Sequence, residues 1–369
     1  MRSDCAVTQA EATRAFAKIG LLSFGGPAAQ IAVMHRVLVE EKGWLSEKQF
    51  LHALNFCMLL PGPEAMQLAT YAGWLLHGVR GGVIAGLLFI LPGLAMMLAL
   101  AAIFVVFGDV PVMAGIFYGL KAAVIAVVLQ ALIKVSGKAL KTPIMYAIAA
   151  IAFVAIFFLR VPFPLIILGA ALVGFLLWRA NPRLIPVNVD DDETEVVTRS
   201  ASKPMQQTLR AVLVWCAIWF LPFAAITLPW YGGFEQQAAL FFSQTSVVTF
   251  GGAYAVLAYV GQQAVEVYGW LTAADMLKGL GLAETTLGPL VLVLIFVGFV
   301  GGANSTEWFP FIGGLSGGLI AAFFTFVPCF LWIFAGAPHM ERLRHVQWLS
   351  ASLSAVTAAV VGVILNLAV

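Results

Sequence analysis

Four short breaks rich in glycine and proline carry the densest chemical information in this 369-residue chain: Gly25-Gly26-Pro27, Pro61-Gly62-Pro63, Gly251-Gly252 and Gly288-Pro289. Each stands at the head of a helical pattern, where the first backbone N–H groups lack an intrahelical partner and the helix dipole adds partial positive charge. Such ends hold oxyanions without any charged side chain. Glycine and proline also serve as kinks and close-packing points in membrane helices, so a single break is a weak signal and four at related places a stronger one. Two carboxylates flank the breaks: Glu64 directly follows Pro63, and Glu284 precedes Gly288-Pro289. Burial of a carboxyl disfavours its charged form and equips it to carry a proton. Thr285, Thr286, Asn304, Ser305 and Thr306 can donate hydrogen bonds to an anion or cap helix ends.

Two cations complete the set. Lys121 lies about ten residues into the apolar run that begins at Val112, about 15 Å along a helix and near mid-membrane. A buried ammonium there marks an ion path, unless it pairs with a carboxylate such as Glu64 for stability alone. Arg36, with Lys42 and Lys48, forms either a funnel for an anion or a cytoplasmic anchoring loop. The expected anion-binding set is therefore Gly25, Gly26, Pro27, Arg36, Gly62, Pro63, Lys121, Gly251, Gly252, Thr285, Thr286 and Gly288, with Glu64 or Glu284 coupling protons.

The breaks are placed by a duplication. Residues 23–63 return without a gap as 249–289, always 226 positions later, and about fourteen of the forty-one pairs are identical, including Glu40 with Glu266 and Gly43-Trp44-Leu45 with Gly269-Trp270-Leu271. After about ten extra residues in the second copy the match continues, Gly81-Gly82 and Pro92 aligning with Gly317-Gly318 and Pro328. Repeated apolar halves interrupted by Gly and Pro mark secondary transporters whose substrate site lies between the repeats.

Composition agrees. With 62% hydrophobic residues, 10% charged residues and a mean hydropathy of +0.97, the chain reads as an all-α polytopic membrane protein. Its net charge of +2 is spread over loops and carries no nucleic-acid signature. Cys5, Cys57, Cys216 and Cys329 are isolated, the five histidines make no pair at ligand spacing, and no nucleophile stands with a base, so a metal site, a cofactor and an enzyme are all disfavoured. Met1 to Val7 lacks the apolar core of a signal peptide, and the first spanning helix is expected to act as the insertion signal.

The expected organisation is a first transmembrane repeat over 8–140, two connecting spans over 141–178, a polar cytoplasmic linker over 179–207, an extra span over 208–228 and a second repeat over 233–369. Helices after Pro27 and Ser46 either cross fully or re-enter. Lys and Arg gather on the cytoplasmic side of membrane proteins. Arg14, Lys18, Arg36, Lys42, Lys48, Lys134, Lys138, Lys141 and the linker would lie inside, and Arg160 alone falls opposite. The loop 261–272, equivalent to the basic one at 36–48, has neither Lys nor Arg. If each unit crosses an even number of times, the three spans between them invert the second copy, so two inverted-topology repeats are expected.

At these residues the chain resembles the chromate ion transporter family in its long, two-domain form. The carriers are Phe24-Gly25-Gly26-Pro27-Ala28, Gly43-Trp44-Leu45, Leu60-Pro61-Gly62-Pro63-Glu64-Ala65, Gln67-Leu68-Ala69-Thr70-Tyr71, Thr249-Phe250-Gly251-Gly252-Ala253-Tyr254 and Ala283-Glu284-Thr285-Thr286. The resemblance implies a multi-pass exporter of chromate in the cytoplasmic membrane that confers chromate resistance, with a relation to sulfate because both are tetrahedral dianions. It departs from the family pattern at Gln30, where many members have His, at Met66, and at Leu287, where a second PGP motif would begin. The alternative is a sulfate or other oxyanion carrier of the same build. The partners expected are that anion and the lipid bilayer, with a homo-oligomer compatible.

Overall fold

The computed structural model describes residues 7–24, 26–107, 132–133, 136–137, 139–181, 204–227, 233–249, 253–306, 309–339 and 347–368. It is all-helical. In chain order the helices are α1 (Gln9–Leu22), α2 (Gly26–His35, prolonged by a π-helical turn, Arg36–Glu41), α3 (Glu47–Met58), α4 (Glu64–Phe107), α5 (Pro143–Phe157), α6 (Phe163–Ala180) and α7 (Pro204–Thr227). There follow α8 (Phe234–Val248), α9 (Ala253–Gln262, with a π-helical turn, Gln263–Val267), α10 (Ala273–Thr285), a 3₁₀ turn (Leu290–Leu292), α11 (Val293–Asn304), α12 (Pro310–Gly336) and α13 (Gln347–Ala368).

Starts follow local chemistry. Thr8 and Ser46 each accept from the N–H three residues on, while Glu11 and Gln49 reach back to them, so α1 and α3 open on full capping boxes. Thr272 caps α10 through Asp275 N–H. Pro143, Pro164 and Pro310 sit in the first turns of their helices, where a missing N–H costs nothing.

Helix α4 is not one rod. His77 and Gly78 leave helical geometry, with Gly78 at φ 65°. A Cβ on Gly73 would meet Gly81 O and the Ala85 methyl, groups that an unbroken helix would hold about 12–18 Å away. The arm 64–76 thus folds back on the arm 79–107. Helices α11 and α12 make the same antiparallel pair across residues 305–309, with Gly298 against Gly317 and Gly302 against Gly313. Small residues let the backbones meet, as in membrane helix pairs.

The shorter helices double back too. The rings of Phe56 and Tyr71 lie 5.5 Å apart across the turn at 61–63, and Gly279 packs on the Phe296 ring across the turn at 286–289. Glu41, at the end of the α2 extension, reaches Lys18 of α1 at 2.8 Å. Trp270, beyond α9, packs on Phe234 and Phe241 of α8 at 5.0 and 5.4 Å.

The halves join along their long helices. Gly82 meets Phe334, Gly86 meets Phe330 and Leu98 meets Gly318, so the second arm of α4 and α12 run antiparallel. Helix α7 packs along α12 through Trp215 on Phe330 and Phe223 on Phe324. Among the described residues five helices are long and apolar enough to cross a membrane: α4, α6, α7, α12 and α13. With α4 split, its arm 79–107 has that length, whereas its arm 64–76 spans only about 20 Å.

Candidate functional site

The turns that end the short hairpins meet at the junction of the two halves. Gly62 N–H donates to Thr249 O at 2.8 Å, and Gly288 N–H donates to Ser23 O at 2.9 Å. Thr249 and Ser23 are themselves 226 positions apart, as are Gly288 and Gly62. Each half therefore gives the other the same backbone bond. Both glycines have backbone conformations that side chains resist, φ 122° at Gly62 and φ 85° at Gly288. They are also packed from behind. A Cβ on Gly62 would lie 2.8 Å from Cys329 Sγ, and one on Gly288 would lie 2.7 Å from Leu292 Cδ1 and 3.5 Å from Gly93 Cα. Gly93 and Cys329 each follow the prolines, Pro92 and Pro328, that the duplication pairs.

The side chains at this junction are not repeated. Gln30, in the second turn of α2, donates from Nε2 to Gly288 O at 2.5 Å. Gln67, in the first turn of α4, donates from Nε2 to Pro61 O at 2.6 Å. Both are fully buried, and neither Oε1 has a hydrogen-bond partner among the described residues. Their counterparts 226 positions on are Val256 and Val293. Thr70 stands one turn beyond Gln67 and donates to Met66 O at 2.9 Å.

The expected residues divide by position. Gly26 and Pro27 open α2, Pro63 immediately precedes α4, and Gly62 and Gly288 are the crossed donors. Glu64 is the first residue of α4 and Glu284 the last but one of α10, both half-buried beside their turns. Thr285 donates to Gly281 O and Leu282 O, and Thr286 to Ala283 O, so these hydroxyl protons close the end of α10. Asn304 holds Trp270 O, and Ser305 and Thr306 bond back to Gly301 O and Gly302 O. The structure does not bring Arg36 to the turns. It is exposed in the π-helical extension at the far end of α2, 3.7 Å from Glu41. There the hydrogen-bonded Lys18 ammonium holds the Glu41 carboxyl below its usual range. Gly25, Lys121, Gly251 and Gly252 lie outside the described residues.

Sequence reasoning located the breaks but not what faces them. The carbonyls of Ser23 and Thr249 leave no trace in side-chain type. Gln67 was visible as a polar residue beside Glu64, and Gln30 as a departure from the family pattern. A glutamine inside an otherwise apolar helix is the one signal that could have singled them out. Among the described residues no group of three or more His, Cys, Asp or Glu could hold a metal ion.

The chromate transporter family matches residues 10–175 and 236–369, one segment in each half. The chain is 29% identical over 349 residues to the chromate transport protein of Cupriavidus metallidurans, covering 95% of this chain and 79% of that one. It is 32% identical over 354 residues to the chromate transport protein of Pseudomonas aeruginosa, covering 95% and 77%. An uncharacterized transporter of Methanocaldococcus jannaschii is 26% identical over 333 residues, covering 89% and 76%. No solved structure matches. Matched in both halves and over nearly all of its length, the chain belongs to the chromate transporter family.

Proposed function

We propose that this protein is a secondary transporter that exports chromate across the cytoplasmic membrane and so confers chromate resistance. The observation that carries the reading is the reciprocal pair of bonds, Gly62 N–H to Thr249 O and Gly288 N–H to Ser23 O. It draws the glycine turns of both halves to one junction, with the heads of α2 and α4 beside it. Helix heads in that position favour a tetrahedral oxyanion over a cation.

The halves, 8–140 and 233–369, are proposed as inverted repeats, with 141–178 and 208–228 as connecting spans and 179–207 as the cytoplasmic linker. The antiparallel packing of the arm 79–107 on α12 supports this. So does charge: Arg14, Lys18, Arg36, Lys42, Lys48 and Arg80 lie at the outer end of the first-half hairpins or along α1 beside it, whereas the second-half ends carry Lys278, paired with Asp275 at 2.8 Å. Each short hairpin would then enter part of the bilayer and return.

Gly25, Gly26, Pro27, Gly62, Pro63, Gly251, Gly252, Thr285, Thr286 and Gly288 are proposed to surround the anion. Lys121 offsets its charge, Arg36 attracts it from the cytoplasm, and Glu64 or Glu284 carries a proton. Export of an anion from a negative interior gains about 2.3 kcal/mol per charge per 100 mV. Chromate flux in vesicles of known orientation tests the reading. We expect saturable movement driven by a negative potential on the cytoplasmic side, lost on Lys121→Ala. Potential-insensitive leakage, or flux of sulfate without chromate, would reject it.

A further inference from the structure

The two buried glutamines are at odds with a site for a fully deprotonated anion. Gln30 gives its amide N–H to Gly288 O and Gln67 gives its own to Pro61 O. These bonds fix which end of each amide is nitrogen, because turning either amide over would set oxygen against a carbonyl oxygen. Each Oε1 is thereby held beside a glycine turn, buried and without a partner among the described residues. Gln67 lies over Gly62 at the head of α4, its Nε2 2.9 Å from where a Cβ on that glycine would be.

A buried carbonyl without a donor has lost its hydration and gained nothing in return. Beside a helix head the pairing is specific. The head supplies N–H donors for anionic oxygens, while an amide oxygen repels them and accepts only from an O–H. A ligand that satisfies both carries negative charge and an O–H, and for a tetrahedral oxyanion such as chromate that is the monoprotonated form. Chromate takes up its first proton close to neutral pH, so its monoanion exists in a cell. Sulfate does so only in strong acid.

We infer that the transported species is the monoprotonated oxyanion, hydrogen chromate, whose O–H is received by the amide carbonyl of Gln67 or Gln30. This rests on the reading of the junction as an oxyanion site and names the species that site takes. It also gives a basis for preferring chromate to sulfate that size and shape, nearly equal in the two, do not supply. Both glutamines come from the first half only, so the selectivity is unrepeated although the scaffold is repeated.

The test is chromate flux into proteoliposomes with equal pH on both sides, at zero potential, across the range where chromate titrates and above it. The apparent KM in total chromate should rise about tenfold per pH unit once the monoanion is the minor form, and stay constant when expressed as monoanion. Gln67→Leu and Gln30→Leu, checked for membrane abundance, should together reduce that slope to less than about twofold per unit while some flux persists. Sulfate keeps one charge state over this range, so its inhibition of wild-type flux should be absent or independent of pH.

A wild-type KM that is flat in total chromate overturns the inference and leaves the proposed function standing. A slope retained in both variants overturns it too, since a buried water would then be what the glutamines hold. An inhibition constant for sulfate that moves in parallel with the chromate KM shows that the protein titrates instead of the substrate, and overturns it without any variant. Absence of chromate flux at every pH removes the underlying reading itself.

Discussion

Gly62 and Gly288 are the residues on which the junction turns. At φ 122° and 85° a side chain is strained whatever space surrounds it, at a cost of about 1–3 kcal/mol. Here the space is also taken, by Cys329 behind Gly62 and by Leu292 and Gly93 behind Gly288. We expect Gly62→Ala and Gly288→Ala each to lower chromate flux at least tenfold and to reduce the thermal stability of the detergent-solubilised protein. Vesicle flux and a melting curve measure the two effects, and wild-type values in both would show that the turns do not need glycine. Gly43 and Gly269, which also pair by the duplication, have φ 61° and 63° but stand at the outer turns. The sequence shows this glycine repeated before a Trp-Leu pair in both halves, and the structure adds its positive φ. The bonds made by Gly62 and Gly288 were not legible, because a carbonyl acceptor has no residue type.

At the scale of elements, the fold is a set of helical hairpins closed by small residues. Gly73 and Gly81 appose the two arms of α4, and Gly298 and Gly317 do the same for α11 and α12. Replacing Gly81 or Gly317 by Leu should overpack these seams by about 1–3 kcal/mol, read as a lower melting temperature with loss of flux. Gly169 of α6 has open space around it, and Gly169→Ala should stay within about 0.5 kcal/mol of wild type. A drop as large at Gly169 would show that crowding at the seams is not what sets the cost. Much of this level could be read in advance. Helices are expected after Pro27 and after Ser46, and occur at Gly26–His35 and Glu47–Met58, the second opened by its Ser46 cap. The doubling back of these helices was left open between crossing and re-entry. Length alone does not distinguish a helix that stops part way from one that continues after a break, whereas ring contacts across the turn do.

At the scale of the whole molecule, the proposal of inverted repeats makes a prediction that no single helix can test. Cysteines introduced at Lys42 and at Gly269, in a background without the four native cysteines, should react with an impermeant reagent from opposite faces of the membrane. Labelling of both from one face would make the halves parallel and remove the inside-out relation of their charges. The antiparallel seam between the arm 79–107 and α12 is the physical reason for the expectation. A helix and its repeat-related partner that pack head to tail present equivalent outer turns at opposite ends.

By itself the sequence determined the helical, membrane-embedded character of the chain, the duplication and the four glycine-proline breaks. All of these are written in side-chain polarity and in the two residues with unusual backbones. Only the tertiary structure decided that the breaks of one half bind the carbonyls before the breaks of the other, and that Gln30 and Gln67 secure those turns while keeping an unpaired oxygen beside them. Backbone bonds between distant segments are indifferent to residue type. A glutamine in an apolar helix reads alike whether its partner is water, lipid headgroup or a turn 258 residues away.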